Sequence, residues 1–381
     1  MTFVDLLGRD GYEHELIGKI VEQVSREIKP LTLHVVEYRV GLEPRRQNVL
    51  SLLNVGCDDR VAKVGIHGIG GIGKTTLALE VYNLIVHQFE SSCFLENIRE
   101  NSEKHGLIYL QKIILSEIIG EKEIELTSVK QGISVIQQRL RKKKVLLLLD
   151  DVDEQKQLDA IAGGNDWYGL GSRVIITSRD KGLLLSHGVE STYEVHELNK
   201  KDAFELLRQK AFKTNKVCPN YADVLNRALT YASGLPLALE VIGSHLFHKT
   251  VEQCKSTLDR YERIPDKKMQ TLLKVSFDAL EEEEKSVFLD IACCFKGYDL
   301  TIVNKMLHAH HGDNMKDHIQ VLVEKSLIKI TESRSVTLHD VIEDMGKEIV
   351  RQESPKEPGK RSRLWCSEDI VQVLEENTVS E

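Results

Sequence analysis

The chain has 381 residues, of which 41% are hydrophobic and 29% charged, and a formal net charge of −8. A chain of that size and make-up can bury a substantial core spread over two or three domains, which excludes a disordered tail. The acidic balance argues against nucleic acid as a partner, because that function needs a basic face able to release counterions.

In chain order, residues 12 to 28 come first, with Leu16, Ile17, Ile20, Val21, Val24 and Ile28 at helical spacing ahead of Pro30. They predict one amphipathic helix leading inward. From Val61 to Leu198, the strand-like runs VAKVGI, SCFLENI, VLLLLD, SRVIITS and YEVHEL alternate with helical patterns such as Ile133, Ile136 and Leu140. The alternation predicts an α/β doubly wound parallel sheet, with the most apolar run, Val145 to Leu149, as a central strand buried on both faces. After Asn199, a helix cap, come the helical segments KKDAFELLRQKAF, YADVLNRALTYAS and PLALEVIGSHLF. Gly234 is suited to end one of these helices and Pro236 to start the next. From Met269 more helices follow, then a hairpin built from SLIKI, TESR and SVTLH, then another helix, an order that predicts a winged-helix domain. The segment ESPKEPGKRSRLW, polar and basic, reads as a linker or surface stretch.

The chemistry concentrates after the first strand. Gly68, Gly73, Lys74 and Thr75 fit G-x-x-x-x-G-K-[ST], in which backbone N–H groups wrap phosphates, the lysine reaches the terminal phosphates and the hydroxyl binds Mg²⁺. Gly70 and Gly71 loosen the loop further. Val61, Val64 and Ile66 form a strand before it, and Leu77, Val81, Leu84, Ile85 and Phe89 fall on one helical face after it, so a helix N-terminus is aimed at the anion. Gly68, Ile69, Gly70, Gly71, Ile72, Gly73, Lys74, Thr75 and Thr76 are therefore the expected phosphate cradle. Asp150 closes the buried run KKKVLLLLDDVD and emerges at the carboxyl edge of the sheet, where it is expected to hold Mg²⁺ together with Thr75. Asp151 either orients or deprotonates a water, as a catalytic residue, or serves as a helix-capping or turn aspartate. Arg179, at the same edge, either contacts a γ-phosphate or pairs with Asp180. The basic run RLRKKK reads as a solvated helix end.

Read in order, these residues resemble the NB-ARC module of plant intracellular immune receptors, in the subgroup that carries an N-terminal TIR domain. The motifs are VGLEPR at Val40, GIGGIGKTT at Gly68, LLLLDDVD at Leu146, GSRVIITSRD at Gly171, SGLPLALEVIGSHL at Ser233, FLDIACCFKG at Phe288 and LHDVIEDMGKEIV at Leu338. The aspartate ending LDDVD and the wording FLDIACCF are similar to the TIR subgroup. The resemblance implies a P-loop NTPase domain at 35–198, an all-α helical domain at 199–268 and a winged-helix domain at 269–355. These are preceded by a linker helix at 1–34 and followed by a basic linker or tail at 356–381. It implies that Val40 contacts adenine, that Pro236 packs on the base, and that Arg179 senses the γ-phosphate. His339 would reach the ADP β-phosphate as a latch, and Asp340 would join the switch while forming a capping box with Glu343. Leu338 stands where the family has methionine, a volume-conserving exchange. Pro44 replaces a commonly polar residue of the adenine-side loop.

The function so implied is an ADP/ATP switch in plant defence signalling, ADP-bound when off and ATP-bound when on, with Mg²⁺ as cofactor and at most slow regulatory ATPase activity. The alternative is a P-loop ATPase or kinase whose turnover is itself the output. A third reading, DNA binding by the winged helix, is disfavoured by the charge balance. Residues 1 to 11 are too few for a TIR domain and no leucine-rich repeat (LRR) follows Glu381, so TIR and LRR domains are expected as partners in a longer form, and a homo-oligomer when ATP is bound. Seven cysteines without a C-x-x-C pair point to a reducing compartment, the cytoplasm or nucleus. No signal peptide or bilayer-length apolar run is found, so no membrane partner is expected. His308, His310 and His311 read as surface histidines, Glu281 to Glu284 as a charged helix N-terminus, and Lys356 to Arg363 as a solvated linker.

Overall fold

The apolar runs after Val61 assemble into one five-stranded parallel sheet of order β2-β3-β4-β1-β5 in the computed structural model, which describes residues 33, 39–57, 59–120, 124–212, 218–263, 266–312 and 315–376. The strands are β1 (Ala62–His67), β2 (Ser91–Leu95), β3 (Val145–Val152), β4 (Arg173–Ser178) and β5 (Ser191–Glu194). The helix expected over residues 12 to 28 lies outside the described residues. Val145 to Leu149 are wholly buried as expected, although β4, one place over, occupies the middle of the sheet. The run YEVHEL does not continue as strand to Leu198. Val195 still donates to His67 O (2.9 Å), but Leu198 N donates to Gly234 O (2.9 Å), so the chain peels away from the sheet edge to meet the helices.

Around the sheet lie α1 (Leu42–Leu53), α2 (Lys74–Ile85), α3 (Ile98–His105), α4 (Leu107–Ile119), α5 (Val129–Leu140), α6 (Gln155–Ile161) and α7 (Lys181–Ser186). Strand alternation sends successive side chains to opposite faces. Leu147, Leu149, Val174 and Ile176 pack with α4 and α5 in a core of their own. Val64, Ile66, Leu146, Leu148 and Ile175 face α1 and α2, and that core runs on without a break into the helices that follow.

Those helices are α8 (Lys200–Phe212), α9 (Ala222–Ala232), α10 (Pro236–Leu246), α11 (Val251–Arg263) and α12 (Lys267–Asp278). Ser233 (φ 44°) and Gly234 (φ 77°) turn the chain after α9, and Pro236 opens α10 as expected. Next come α13 (Glu282–Asp290), α14 (Leu300–His311), α15 (Met315–Glu324), the antiparallel hairpin β6 (Lys329–Ile330) and β7 (Val336–Thr337), and α16 (Asp340–Glu353). Helices followed by a small hairpin match the winged-helix expectation. Glu281 caps α13 reciprocally with Glu284, so the acidic run does sit at a helix N-terminus.

Two expectations are corrected here. The segment from Lys356 to Arg363 is not a solvated linker, because its arginines are bound back into the fold. Arg363 pairs through Nε with Asp290 (2.5 Å) and through Nη2 with Ser286 O (2.9 Å), while Arg361 bonds Ser354 O and Asp369 of α17 (Ser367–Glu376). His311 is likewise no surface histidine: its Nε2 lies 2.6 Å from Asp290 Oδ2 and its side chain is 13% exposed.

Candidate nucleotide-binding site

The loop between β1 and α2 has the shape its glycines permit. Gly71 (φ 78°) and Gly73 (φ 97°) lie in the left-handed region that side chains disfavour. A Cβ on Gly71 would stand 2.6 Å from Leu237 Cβ, and Gly71 O accepts the Leu237 N–H (3.2 Å), so the loop is pressed against the start of α10. Gly73 caps α2, a Cβ there would meet nothing within 4 Å, and the first residues of the helix, Lys74 to Thr76, line the cavity beside it, where helix N–H groups have no partner within the helix.

Lys74 is buried and its Nζ donates to Gly68 O (2.8 Å) and Ile69 O (3.0 Å). Burial first, and then the nearby Arg179 charge, bring its pKa down to about 7. Thr75 Oγ1 donates to Asp150 Oδ1 (2.7 Å), and Thr177 Oγ1 donates to the same oxygen (2.6 Å). Burial raises the Asp150 pKa against the pull of those hydroxyls. An acid and a hydroxyl brought to one point form an oxygen donor set of the kind that a hard divalent cation takes.

Asp151 is turned differently. Its φ is 55°, the pairing of β3 with β4 is irregular between Leu149 and Val152, and its N–H donates to Thr177 Oγ1 (2.9 Å). The turn delivers its carboxylate to Arg99, whose Nε and Nη2 both lie 2.9 Å from Oδ2, and to Arg179, whose Nε lies 3.5 Å from Oδ1. Burial would raise the Asp151 pKa, but the two guanidinium groups outweigh it and the net shift is downward. Asp151 caps no helix, since Glu154 caps α6. Arg179 does not pair with Asp180. It donates from Nη1 to Leu272 O of α12 (2.8 Å), while Asp180 caps α7 and pairs with Lys325 (3.1 Å).

These groups line one cavity of about 410 Å³. Of the residues expected from sequence, Val40, Gly70, Gly71, Ile72, Gly73, Lys74, Thr75, Thr76, Asp150, Asp151, Arg179 and Pro236 line it. Gly68 and Ile69 contribute through their carbonyls on Lys74. Val40, Leu42, Leu198, Leu206 and Pro236 supply apolar surface, while Lys74, Thr75, Asp150 and Arg179 supply charge and hydroxyl, a division that suits a base and its phosphates.

His339 is placed elsewhere. It caps α16, with Nδ1 accepting from Val341 N (3.2 Å) and Nε2 donating to Ser233 O (3.3 Å), one neutral tautomer serving both bonds. Burial lowers its pKa against the pull of Glu197 and Asp340. The expected capping box of Asp340 and Glu343 is not formed. His339 takes the capping position, Asp340 bonds Lys296 and the Ser233 hydroxyl, and Glu343 also bonds Lys296.

Sequence reasoning missed Arg99, Thr177 and Leu272. Thr177 was within reach, being two residues before Arg179 on the same strand. Arg99 carried only the weak signal of a cation after β2, and the Leu272 carbonyl carried none.

Residues 46–217 match the NB-ARC domain, and residues 281–354 match the winged-helix domain of Roq1-like disease resistance proteins. Disease resistance protein RUN1 of Vitis rotundifolia is 40% identical over 372 residues, covering 96% of this chain and 27% of the relative. TMV resistance protein N of Nicotiana glutinosa is 36% identical over 382 residues, covering 97% and 32%. The chain thus spans a third or less of the length of these two curated relatives. A Walker-type ATPase of Pyrococcus abyssi shares the fold, with a TM-score of 0.56 at 14% identity over 84% of this chain and 99% of that one. No helix among the described residues is long and apolar enough to cross a membrane. The chain thus carries an NB-ARC domain with a P-loop fold that implies nucleotide binding, followed by a Roq1-like winged-helix domain, and along nearly its whole length it is similar to disease resistance proteins of plants.

Proposed function

We propose that this chain is the nucleotide switch of a plant immune receptor, holding ADP when closed and off, and ATP when on and able to assemble with further copies in defence signalling. One observation carries the reading: three successive parts of the chain wall a single cavity, namely the P-loop with the sheet edge, Pro236 and Leu237 of α10, and Leu272 of α12. A ligand in such a cavity makes different contacts when those parts separate, and only a difference of that kind lets a ligand move a conformational equilibrium.

In this reading the domains are 35–198, 199–268 and 269–355. Val40 and Pro236 flank the adenine, and the N–H groups of the P-loop with Lys74 hold the phosphates. Thr75 and Asp150 hold Mg²⁺, which would neutralise phosphate charge. Arg179 reports the γ-phosphate by leaving the Leu272 carbonyl. His339 latches the closed form through the Ser233 carbonyl, three residues before Pro236, rather than by its own reach into the cavity. TIR and LRR partners belong to a longer form, at work in the cytoplasm or nucleus.

The alternative, a turnover ATPase or kinase, is less well supported. Asp151 is the candidate base, and a carboxylate held between two arginines with a lowered pKa is a poor one. The test is to purify the chain without added nucleotide, denature it and identify what is released by ion exchange and mass spectrometry. Near-stoichiometric ADP is the expected result. An empty site that turns over added ATP at about 1 to 100 per second would replace the switch with the catalyst.

A further inference from the structure

The grip on Asp151 leaves Arg179 underused. Arg99 donates from Nε to one carboxylate oxygen (2.9 Å), with its Nη2 also 2.9 Å from that oxygen, whereas Arg179 stands 3.5 Å from the other oxygen. Arg179 Nε is buried and makes no hydrogen bond among the described residues, and the side chain is 16% exposed against 27% for Arg99 and 20% for Asp151. Both arginines line the P-loop cavity and also border a second cavity of about 990 Å³ beside it. Arg179 thus keeps a long ionic contact with Asp151 and a backbone carbonyl, that of Leu272, as partners, and its guanidinium can turn from these toward a further anionic group.

We infer that Arg99 is a positioning residue that sets the preference of the site for a nucleoside triphosphate over a diphosphate, by occupying Asp151 and so keeping Arg179 available to the terminal phosphate. The inference rests on nucleotide binding at the P-loop. Without Arg99, the Asp151 carboxylate has one partner left, and the loose 3.5 Å contact with Arg179 closes into a bidentate pair. The cation is then neutralised before a third phosphate arrives. A diphosphate, which ends short of Arg179, is indifferent to the change. Arg99 therefore acts through Asp151, and a substitution that removes the carboxylate also removes the effect of losing Arg99.

The test uses the full chain stripped of bound nucleotide and titrated with fluorescent ADP and ATP analogues in the presence of Mg²⁺. Arg99→Gln is expected to weaken the triphosphate about tenfold, the scale of one charge-assisted hydrogen bond, and to change the diphosphate less than about twofold. The double variant Arg99→Gln with Asp151→Asn is expected to recover the triphosphate affinity of Asp151→Asn alone. Equal weakening of both nucleotides by Arg99→Gln, or a double variant as weak as Arg99→Gln, overturns the inference. Thermal melting checks that each variant is folded, and Arg99→Lys, which keeps charge but loses the Nε–H bond to Asp151, gives the same readout if the glutamine variant does not fold. Wild-type protein that binds neither analogue removes the P-loop reading itself, and the inference falls with it.

Discussion

The sheet meets the rest of the molecule along two seams built from opposite materials. Toward α8 and α10 the seam is apolar: Val195, Leu198, Leu206 and Leu235 are buried in the same core as Val64 and Ile66 of the sheet. Backbone bonds from Leu198 to Gly234 and from Leu237 to Gly71 run beside it. Toward the winged-helix region, the same sheet edge is held by charges and hydroxyls. Lys325 meets Asp180 (3.1 Å), Lys329 meets Glu197 (3.1 Å) and Glu194 (3.4 Å), and the Ser326 hydroxyl donates to Arg179 O (3.4 Å). Burial of apolar surface is lost only by exposing it to water, whereas half-buried ion pairs exchange protein partners for solvent at a smaller net cost. The first seam is therefore expected to hold its two sides as one body; the winged-helix residues Leu327, Ile328 and Leu338 belong to the same continuous core, but where they meet the sheet edge the polar contacts dominate, and the second seam is expected to part more readily.

The largest effect is expected at the fused seam. Leu235→Ala deletes a wholly buried side chain and should cost about 2–5 kcal/mol, read as a lower urea midpoint with an unchanged slope. A separate early transition for the helices would break the comparison.

The charged seam should behave in the opposite way. The pair Lys325→Ala and Lys329→Ala should shift global stability by about 1 kcal/mol or less. Hydrogen exchange at residues 315–353 should nevertheless accelerate several-fold, an effect that added salt should mimic in the wild type. Unchanged exchange would mean that some other contact closes this seam.

The smallest effect is a pH dependence at His339. Its folded-state pKa is lowered by burial, so its contribution is intact above the ordinary value of about 6.5 and is lost as pH falls below it toward the folded value. Protonation also turns Nδ1 into a donor facing the Val341 N–H. Loss of bound nucleotide should therefore quicken a few-fold between about pH 7 and 5.5, and His339→Asn should flatten that slope. The same slope in the variant would assign it to another group.

Much of this was legible in the sequence where the relevant residues are neighbours in the chain. The P-loop is one contiguous stretch, Asp150 ends one apolar run, and the Gly234 and Pro236 boundary is local turn chemistry. What escaped depends on partners far apart. Arg99 finds Asp151 across 52 positions and Arg363 finds Asp290 across 73, so composition and spacing assign Arg99 no role and leave Arg363 in a solvated linker. His339 was assigned by resemblance to a ligand contact, and its actual partner, a backbone carbonyl, leaves no trace in a side-chain pattern. The capping box failed for a related reason: Lys296, 44 residues before Asp340, captures the acids that would have formed it.

The left-handed backbone at Asp151 also constrains how this position can drift. Asparagine adopts φ near 55° at least as readily as aspartate, glycine does so freely, and an alanine or other ordinary residue brings about 1–2 kcal/mol of strain. Residue 151 is thus specified twice, once by charge and once by shape, and the two requirements can be lost separately. A chain that drifts to asparagine keeps the turn and forfeits the ion pairs, while one that drifts to alanine forfeits both at once. Ordinary alanine scanning would merge those two losses into a single number at this position.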